Sequence, residues 1–155
     1  MKDLTENLLY SWLTMSSVVN NERLAASIPF NEAHVCYLLH RQHLANPNVY
    51  LTATELCAQT RMLKSQMNKV LTALEKKNMI ERHPSPDDKR KAFIHIVEEH
   101  MDAFEATHAR CLEIANYVSE KLGPEDTELV ARLFMRISDI VDETLVFGGE
   151  RGHNI

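Results

Sequence analysis

What the chain lacks narrows it first. Its 155 residues include only four glycines and five prolines, too few for a sheet-rich or loop-rich protein, whereas Leu, Ala, Glu and Lys are plentiful and suit helices. No run of about 18 apolar residues exists that could cross a bilayer, and the opening residues MKDLTENLLYSW are acidic and amphipathic, without the basic flank of a leader. A cytoplasmic protein with no membrane partner is therefore expected. The three cysteines, Cys36, Cys57 and Cys111, are odd in number and far apart, which argues against a disulfide framework and for a reducing compartment. There is no glycine-rich phosphate loop, no nucleophile elbow and no carboxylate pair placed by a motif, so nothing marks an enzyme or asks for a cofactor. The length suits one domain, burying about 70% of the surface its unfolded chain exposes.

Tight metal-ligand spacings are missing too. Cys36, His40 and His43 fall at i, i+4 and i+7 on one helical face, and His108 and Cys111 at i and i+3. Together they could offer soft ligands to zinc. With no CxxC or HExxH beside them, ordinary packing accounts for the thiols, which behave as small hydrophobes. No metal is assigned.

Charge is present, and unevenly. Between positions 61 and 91 stand Arg61, Lys64, Lys69, Lys76, Lys77, Arg82, Lys89, Arg90 and Lys91 against Glu75, Glu81, Asp87 and Asp88, a net of +5 in a chain whose total is −5. One basic island in an acidic protein is the footprint of a surface that meets a polyanion. A charge run alone is also what any solvated helix face shows, so the pattern around it matters. Leu63, Met67, Val70, Leu71 and Leu74 make one apolar helical stripe. Arg61, Ser65, Asn68, Lys69, Thr72 and Lys76 fall opposite it and Gln66 on its flank. None of the opposing side chains is acidic, and all can bond phosphates or base edges.

In chain order, Leu4, Leu8, Trp12 and Val19, supplemented by Leu9, Leu13 and Met15, predict a first helix from Leu4 to about Ala26, broken by Ile28-Pro29-Phe30. Asn31 is the expected cap of a second, running to about Leu44 and apolar nearly all round. Val49 to Leu51 suggests a short strand. Thr52-Ala53-Thr54-Glu55 has the spacing of a capping box for a short third helix to Gln59. With the basic helix that follows, this is the layout of a helix-turn-helix. Ile80 to His83 and Lys91 to Ile96 read as two strands, the second with Ala92, Ile94 and Ile96 on one face and Phe93 and His95 on the other. The loop from His83 to Lys91 carries two prolines and a cluster of cations. It is a wing.

These residues resemble the MarR-type winged-helix transcriptional regulators. The likeness runs through Leu51-Thr52-Ala53-Thr54-Glu55-Leu56, through Lys64-Ser65-Gln66-Met67-Asn68-Lys69-Val70-Leu71 with Leu74-Glu75-Lys76-Lys77, and through Ile80-Glu81-Arg82. It ends in Pro84-Ser85-Pro86-Asp87-Asp88-Lys89-Arg90, where Asp88-x-Arg90 sits at the family's Asp-x-Arg signature. The resemblance implies that Ser65, Gln66, Asn68 and Lys69 lie in a major groove and that Arg90 enters the adjacent minor groove, with Asp88 helping to hold its guanidinium. Arg61, Lys64, Thr72, Lys89 and Lys91 complete the expected DNA-binding set. Three positions depart from the family pattern. Leu63 stands where a polar N-cap is usual, Asn78 replaces a glycine, and Val97 a threonine.

Beyond the wing, Val97, Met101, Phe104, His108, Cys111, Ala115, Val118 and Leu122 repeat at steps of four and three, which predicts a long fifth helix. Gly123-Pro124 punctuates, and Val130, Leu133, Ile137, Ile140, Thr144 and Phe147 continue the spacing along a sixth, with 148–155 a loose tail. The expected architecture is mainly α with a small β-hairpin wing. A winged helix-turn-helix at 31–97 is flanked by dimerisation helices at 1–30 and 98–147, although a self-contained bundle would show the same stripes. The resemblance favours a homodimeric repressor on a palindromic operator, released by a small aromatic effector in a cleft for which Trp12, Tyr37, His40 and Arg41 are lining candidates. Alternatives are a winged-helix module that binds a protein partner instead of DNA, and a metal-responsive regulator.

Overall fold

A computed structural model describes residues 2–21 and 27–150, with side chains at 3–21 and 27–145. It divides into two compact units, the division falling between Cys111 and Leu112. The elements in order are α1 Lys2–Val19, α2 Phe30–Ala45, β1 Leu51–Thr52, α3 Ala53–Thr60, α4 Lys64–Lys76, β2 Ile80–Pro84, β3 Ala92–Ile96, a 3-10 turn at Glu98–His100, α5 Asp102–Leu122 and α6 Pro124–Glu150. The protein is thus mainly helical with a small antiparallel sheet.

The core of the first unit forms where the apolar stripes converge. Val35, Cys36 and Leu39 of α2, Leu56 of α3, Met67, Leu71 and Leu74 of α4, Ile80 and Ile94 of the sheet, and Met101 and Phe104 around the start of α5 are all buried together. The sheet has three strands in the order β1-β3-β2. Leu51 pairs with Ile94, and on the other side of β3 Ile80 pairs with Ile96 and Pro84 with Ala92. Ile94 is buried as the alternation of its strand predicts.

Local chemistry sets most boundaries. Thr52 and Glu55 form the expected capping box, the Thr52 Oγ1 accepting from the Glu55 N–H at 3.3 Å and the Glu55 Oε2 from the Thr52 N–H at 2.7 Å. After α4 the chain closes in a Schellman motif. Met79 N–H bonds the Leu74 carbonyl and Asn78 N–H that of Glu75, with Asn78 left-handed at φ 57°. Asn tolerates that region, so a glycine is not required.

Several boundaries differ from expectation. α1 stops at Val19 with Asn20 in a turn, short of Ala26; residues 22–26 lie outside the described residues. The N-cap of α2 is Pro29, not Asn31: with φ −55° and ψ 148° it is still extended, it gives no side-chain cap, and its carbonyl already accepts the Ala33 N–H at 3.0 Å, so the helix begins at Phe30. β1 takes Leu51–Thr52 rather than Val49 to Leu51, its register being fixed by β3. Val97 and the residues after it do not begin a long helix. Val97 N–H continues the ladder to the Met79 carbonyl at 2.9 Å, and a single 3-10 turn follows before α5. At the other end α6 carries on through Gly148 and Gly149 to Glu150, where a loose tail was expected; residues 151–155 are outside the described residues.

In the second unit, Gly123 turns the chain between α5 and α6 at φ +83°, a conformation few side chains tolerate. Thr127 then donates its hydroxyl hydrogen to the Gly123 carbonyl at 2.7 Å. No described side chain of α6 is buried.

Candidate nucleic-acid interface

α4 owes its orientation to one face. Met67, Val70, Leu71 and Leu74 are buried, so Ser65, Gln66, Asn68, Lys69 and Thr72 must face outward. Leu63 is the N-cap of α4, the position the family resemblance gives it, and at 74% exposure it does not join the buried apolar stripe to which periodicity assigns it. It has no side-chain oxygen to offer, so the first-turn N–H groups of α4 receive no side-chain cap and stay available to a phosphate. Lys64, Ser65, Gln66, Asn68 and Lys69 are all exposed. Among the described residues no hydrogen bond or ion pair engages the side chains of Ser65, Gln66, Asn68 or Lys69.

Arg61 is not on this helix. It is the C-cap of α3, left-handed at φ 60°, with its N–H on the Cys57 carbonyl at 2.8 Å. The turn is tightened by Thr60, whose Oγ1 donates to the Leu56 carbonyl and accepts from the Met62 N–H. Arg61 therefore extends from the helix-helix junction.

Two cations of the basic island are taken up by ion pairs within the protein, which the charge count does not reveal. Arg82 on β2 donates from Nε to Glu75 and from Nη2 to the Thr72 Oγ1 at 3.3 Å, tying the hairpin to the flank of α4. Thr72 is exposed, but its hydroxyl is engaged. Lys77 pairs with Glu32, which is buried at 6% exposure. The only sequence signal for this bond is an acid within the apolar turn of α2, and no local rule names its partner.

The wing tip is built around Ser85. Its N–H donates to the Lys91 carbonyl at 2.9 Å, and its Oγ accepts from the N–H groups of Asp87 and Asp88. The Asp88 Oδ1 accepts from the backbone N–H of Arg90 at 3.0 Å; the bond formed here is to the backbone, whereas the guanidinium was the expected partner. Lys89, Arg90 and Lys91 are exposed at the tip. At the root of the hairpin, His95 is stacked against Tyr50 at 3.7 Å and against His83 at 4.1 Å. Burial lowers the pKa of His95, and neighbouring His83 lowers it further, against an opposing pull from Glu81.

The other candidate residues separate. Tyr37 and His40 of α2 meet α5, Tyr37 lying 5.5 Å from His108 and His40 5.7 Å from Phe104, with Phe104 stacked on His108. Trp12 lies exposed on α1, and Arg41 is exposed on α2. The thiol of Cys36 is fully buried, and desolvation, reinforced by Glu32 and opposed by Lys77, pushes its pKa up to about 12. It stays protonated. His43 pairs with Glu98 at 2.6 Å, and Cys111 is a free, partly buried thiol. Among the described residues no three His, Cys, Asp or Glu side chains are disposed to hold a metal ion. Nor is any helix among them long and apolar enough to cross a membrane.

Residues 31–91 match the model of the MarR family. No curated protein matches the chain. Solved structures match it in fold. AbsC, a MarR family transcriptional regulator from Streptomyces coelicolor, is 15% identical with a TM-score of 0.72 over 91% of this chain and 96% of its own. MepR of S. aureus, solved in complex with DNA, is 20% identical with a TM-score of 0.70 over 84% and 96%. A mutant MarR from E. coli, complexed with operator DNA, is 17% identical with a TM-score of 0.66 over 85% and 91%.

Proposed function

We propose that this protein, whose residues 31–91 match the model of the MarR family, is a MarR-type transcriptional regulator that binds duplex DNA as a homodimer on a palindromic operator and represses transcription there. The observation that carries the reading is α4. It exposes Ser65, Gln66, Asn68 and Lys69 without internal partners, beside a hairpin whose tip exposes Lys89, Arg90 and Lys91. Asn and Gln can bond an adenine edge bidentately, and Arg is drawn to the negative potential of a narrow minor groove. Arg61 and Lys64 serve phosphates at the start of the reading helix. Dimerisation is supported by the apolar surface left open on the terminal helices, where Leu4 and Leu145 are 73% and 70% exposed. A two-fold molecule asks for half-sites about one helical turn apart.

Release by a small aromatic effector is the matching regulatory reading. The rings of Tyr37, His40, Phe104 and His108 gathered between α2 and α5 support it as the aromatic surface a planar ligand would stack on. The test of DNA binding is salt. If the dimer neutralises about six to ten phosphates, affinity for its operator should fall roughly 10³- to 10⁵-fold between about 50 and 200 mM salt. A flat response would return the winged module to the class that docks proteins.

A further inference from the structure

On the side of the sheet away from the wing tip, a cleft of about 290 Å³ opens between the C-terminal half of α2, the β1–β3 pair and the 3-10 turn. Its volume sits at the lower edge of small-molecule sites, which run from about 300 to 1,000 Å³, so a single-ring compound is the size it suits. Leu39, Leu51 and Ile94 give it an apolar floor, and Tyr50, His43 and Glu98 stand at its edge. None of the residues lining it is Lys or Arg. Glu98 is the one lining acid, its side chain 69% exposed, and its Oε1 receives His43 Nε2 at 2.6 Å, which leaves the second oxygen open.

We propose that this cleft binds a small planar organic cation of the arylamidine or guanidine type, with the Glu98 carboxylate as its counter-ion and the Tyr50–His95 stack as its aromatic wall. The charges decide the sign of the ligand. An amidinium can donate a charge-assisted N–H to the open Glu98 oxygen, and its ring and charge are both favoured next to an aromatic face. A carboxylate of the same shape would meet Glu98 with no lining Lys or Arg to offset the repulsion, His43 being already engaged on the Glu98 Oε1. His95 does not supply the missing positive charge, since burial and the neighbouring His83 hold its pKa down. The site differs from the aromatic group between α2 and α5 in both place and polarity. β3 forms one wall of the cleft and is also the second strand of the hairpin, so an occupant touches the element that carries the wing. That consequence rests on the DNA-binding reading; the binding itself does not.

The experiment titrates the full chain with benzamidine, following backbone amide shifts, with benzoate and benzyl alcohol as the anionic and neutral matches. Saturable shifts at Tyr50, Ile94 and His95 with benzamidine, and none at equal concentration of benzoate, are expected. Glu98→Gln should weaken benzamidine about fivefold, the upper range for an exposed ion pair, and Tyr50→Leu should weaken it too. Glu99→Gln, in the same turn but not lining the cleft, should leave it unchanged. Benzoate or benzyl alcohol binding as well as benzamidine, no saturation, or equal binding by Glu98→Gln and Glu99→Gln would each overturn the proposal. Unchanged urea midpoints for both Gln variants would exclude a folding defect as the cause. A protein that binds benzamidine but shows no salt-dependent DNA affinity would keep this site and lose the regulator reading.

Discussion

Asn68 and Arg90 can be told apart by what each does on different duplexes. Replacing Asn68 with Ala removes an exposed amide that meets nothing inside the protein, so folding should be unaffected. Operator affinity should drop by about 1–3 kcal/mol while random DNA is bound nearly as before. Equal losses on both duplexes in a mobility-shift titration would remove Asn68 from base reading. Arg90→Ala should instead act mainly where A·T pairs flank the half-site, since those narrow the minor groove. Lys77 shows the opposite behaviour for a cation in the same basic island. Its partner Glu32 is buried, so Lys77→Ala leaves a carboxylate without its ion pair and should cost about 1–3 kcal/mol in urea unfolding, towards the lower end because Lys77 itself is 41% exposed. Lys77→Ala combined with Glu32→Gln should recover part of that loss. Counting charges identified the island; it could not separate Lys77 and Arg82, which brace the fold, from Lys69 and Arg90, which face out.

Between elements, the sheet carries a pH dependence. His95 has its pKa lowered from the ordinary 6.5 by burial and by His83, and His34 is lowered by burial alone. A lowered histidine pKa means the folded state binds the proton less well than the unfolded chain does. The stability at stake is whole above pH 6.5 and declines as the pH falls below it. The urea midpoint should therefore drop between about pH 7.5 and 5.5, and His95→Phe should flatten the slope; an unchanged slope would assign the effect elsewhere. The strands and helices were largely readable beforehand, and for local reasons. Thr52 and Glu55 are three residues apart and can only satisfy each other at a helix start, and Met67 to Leu74 repeat with the helical period. The resemblance rightly places Leu63 at the cap, whereas periodicity, which ignores caps, wrongly puts it in the buried stripe. Val97 misled because its N–H had a partner on Met79, far away in sequence.

At the scale of the molecule, the outer helices carry the exposed apolar surface. Leu8, Leu13 and Leu9 on α1 are exposed, as are Phe134, Met135 and Ile140 on α6. Isolated exposed apolar residues are ordinary, but whole helices of them mark interaction surfaces, and under the homodimer proposal a second copy covers these. Sedimentation at micromolar concentration should give a dimer. Phe134→Asp with Ile140→Asp should give a monomer whose affinity for a palindromic duplex falls by more than its affinity for a single half-site. A wild-type monomer with full operator affinity would reject the two-fold arrangement.

The sequence alone determined the helical class, the order of elements through the winged segment, the capping box and the outward face of α4. Each follows from spacing over a few residues, where backbone geometry leaves little choice. Only the tertiary structure decided that Arg61 closes α3, that Arg82 clamps the hairpin to Glu75 and Thr72, that Glu32 holds Lys77, and that β1 joins β3 beside a cleft edged by Glu98. Those depend on which residues distant in sequence arrive together. A charge or a hydroxyl takes whichever partner the packing of the apolar core brings within reach, and no periodicity along the chain encodes that meeting.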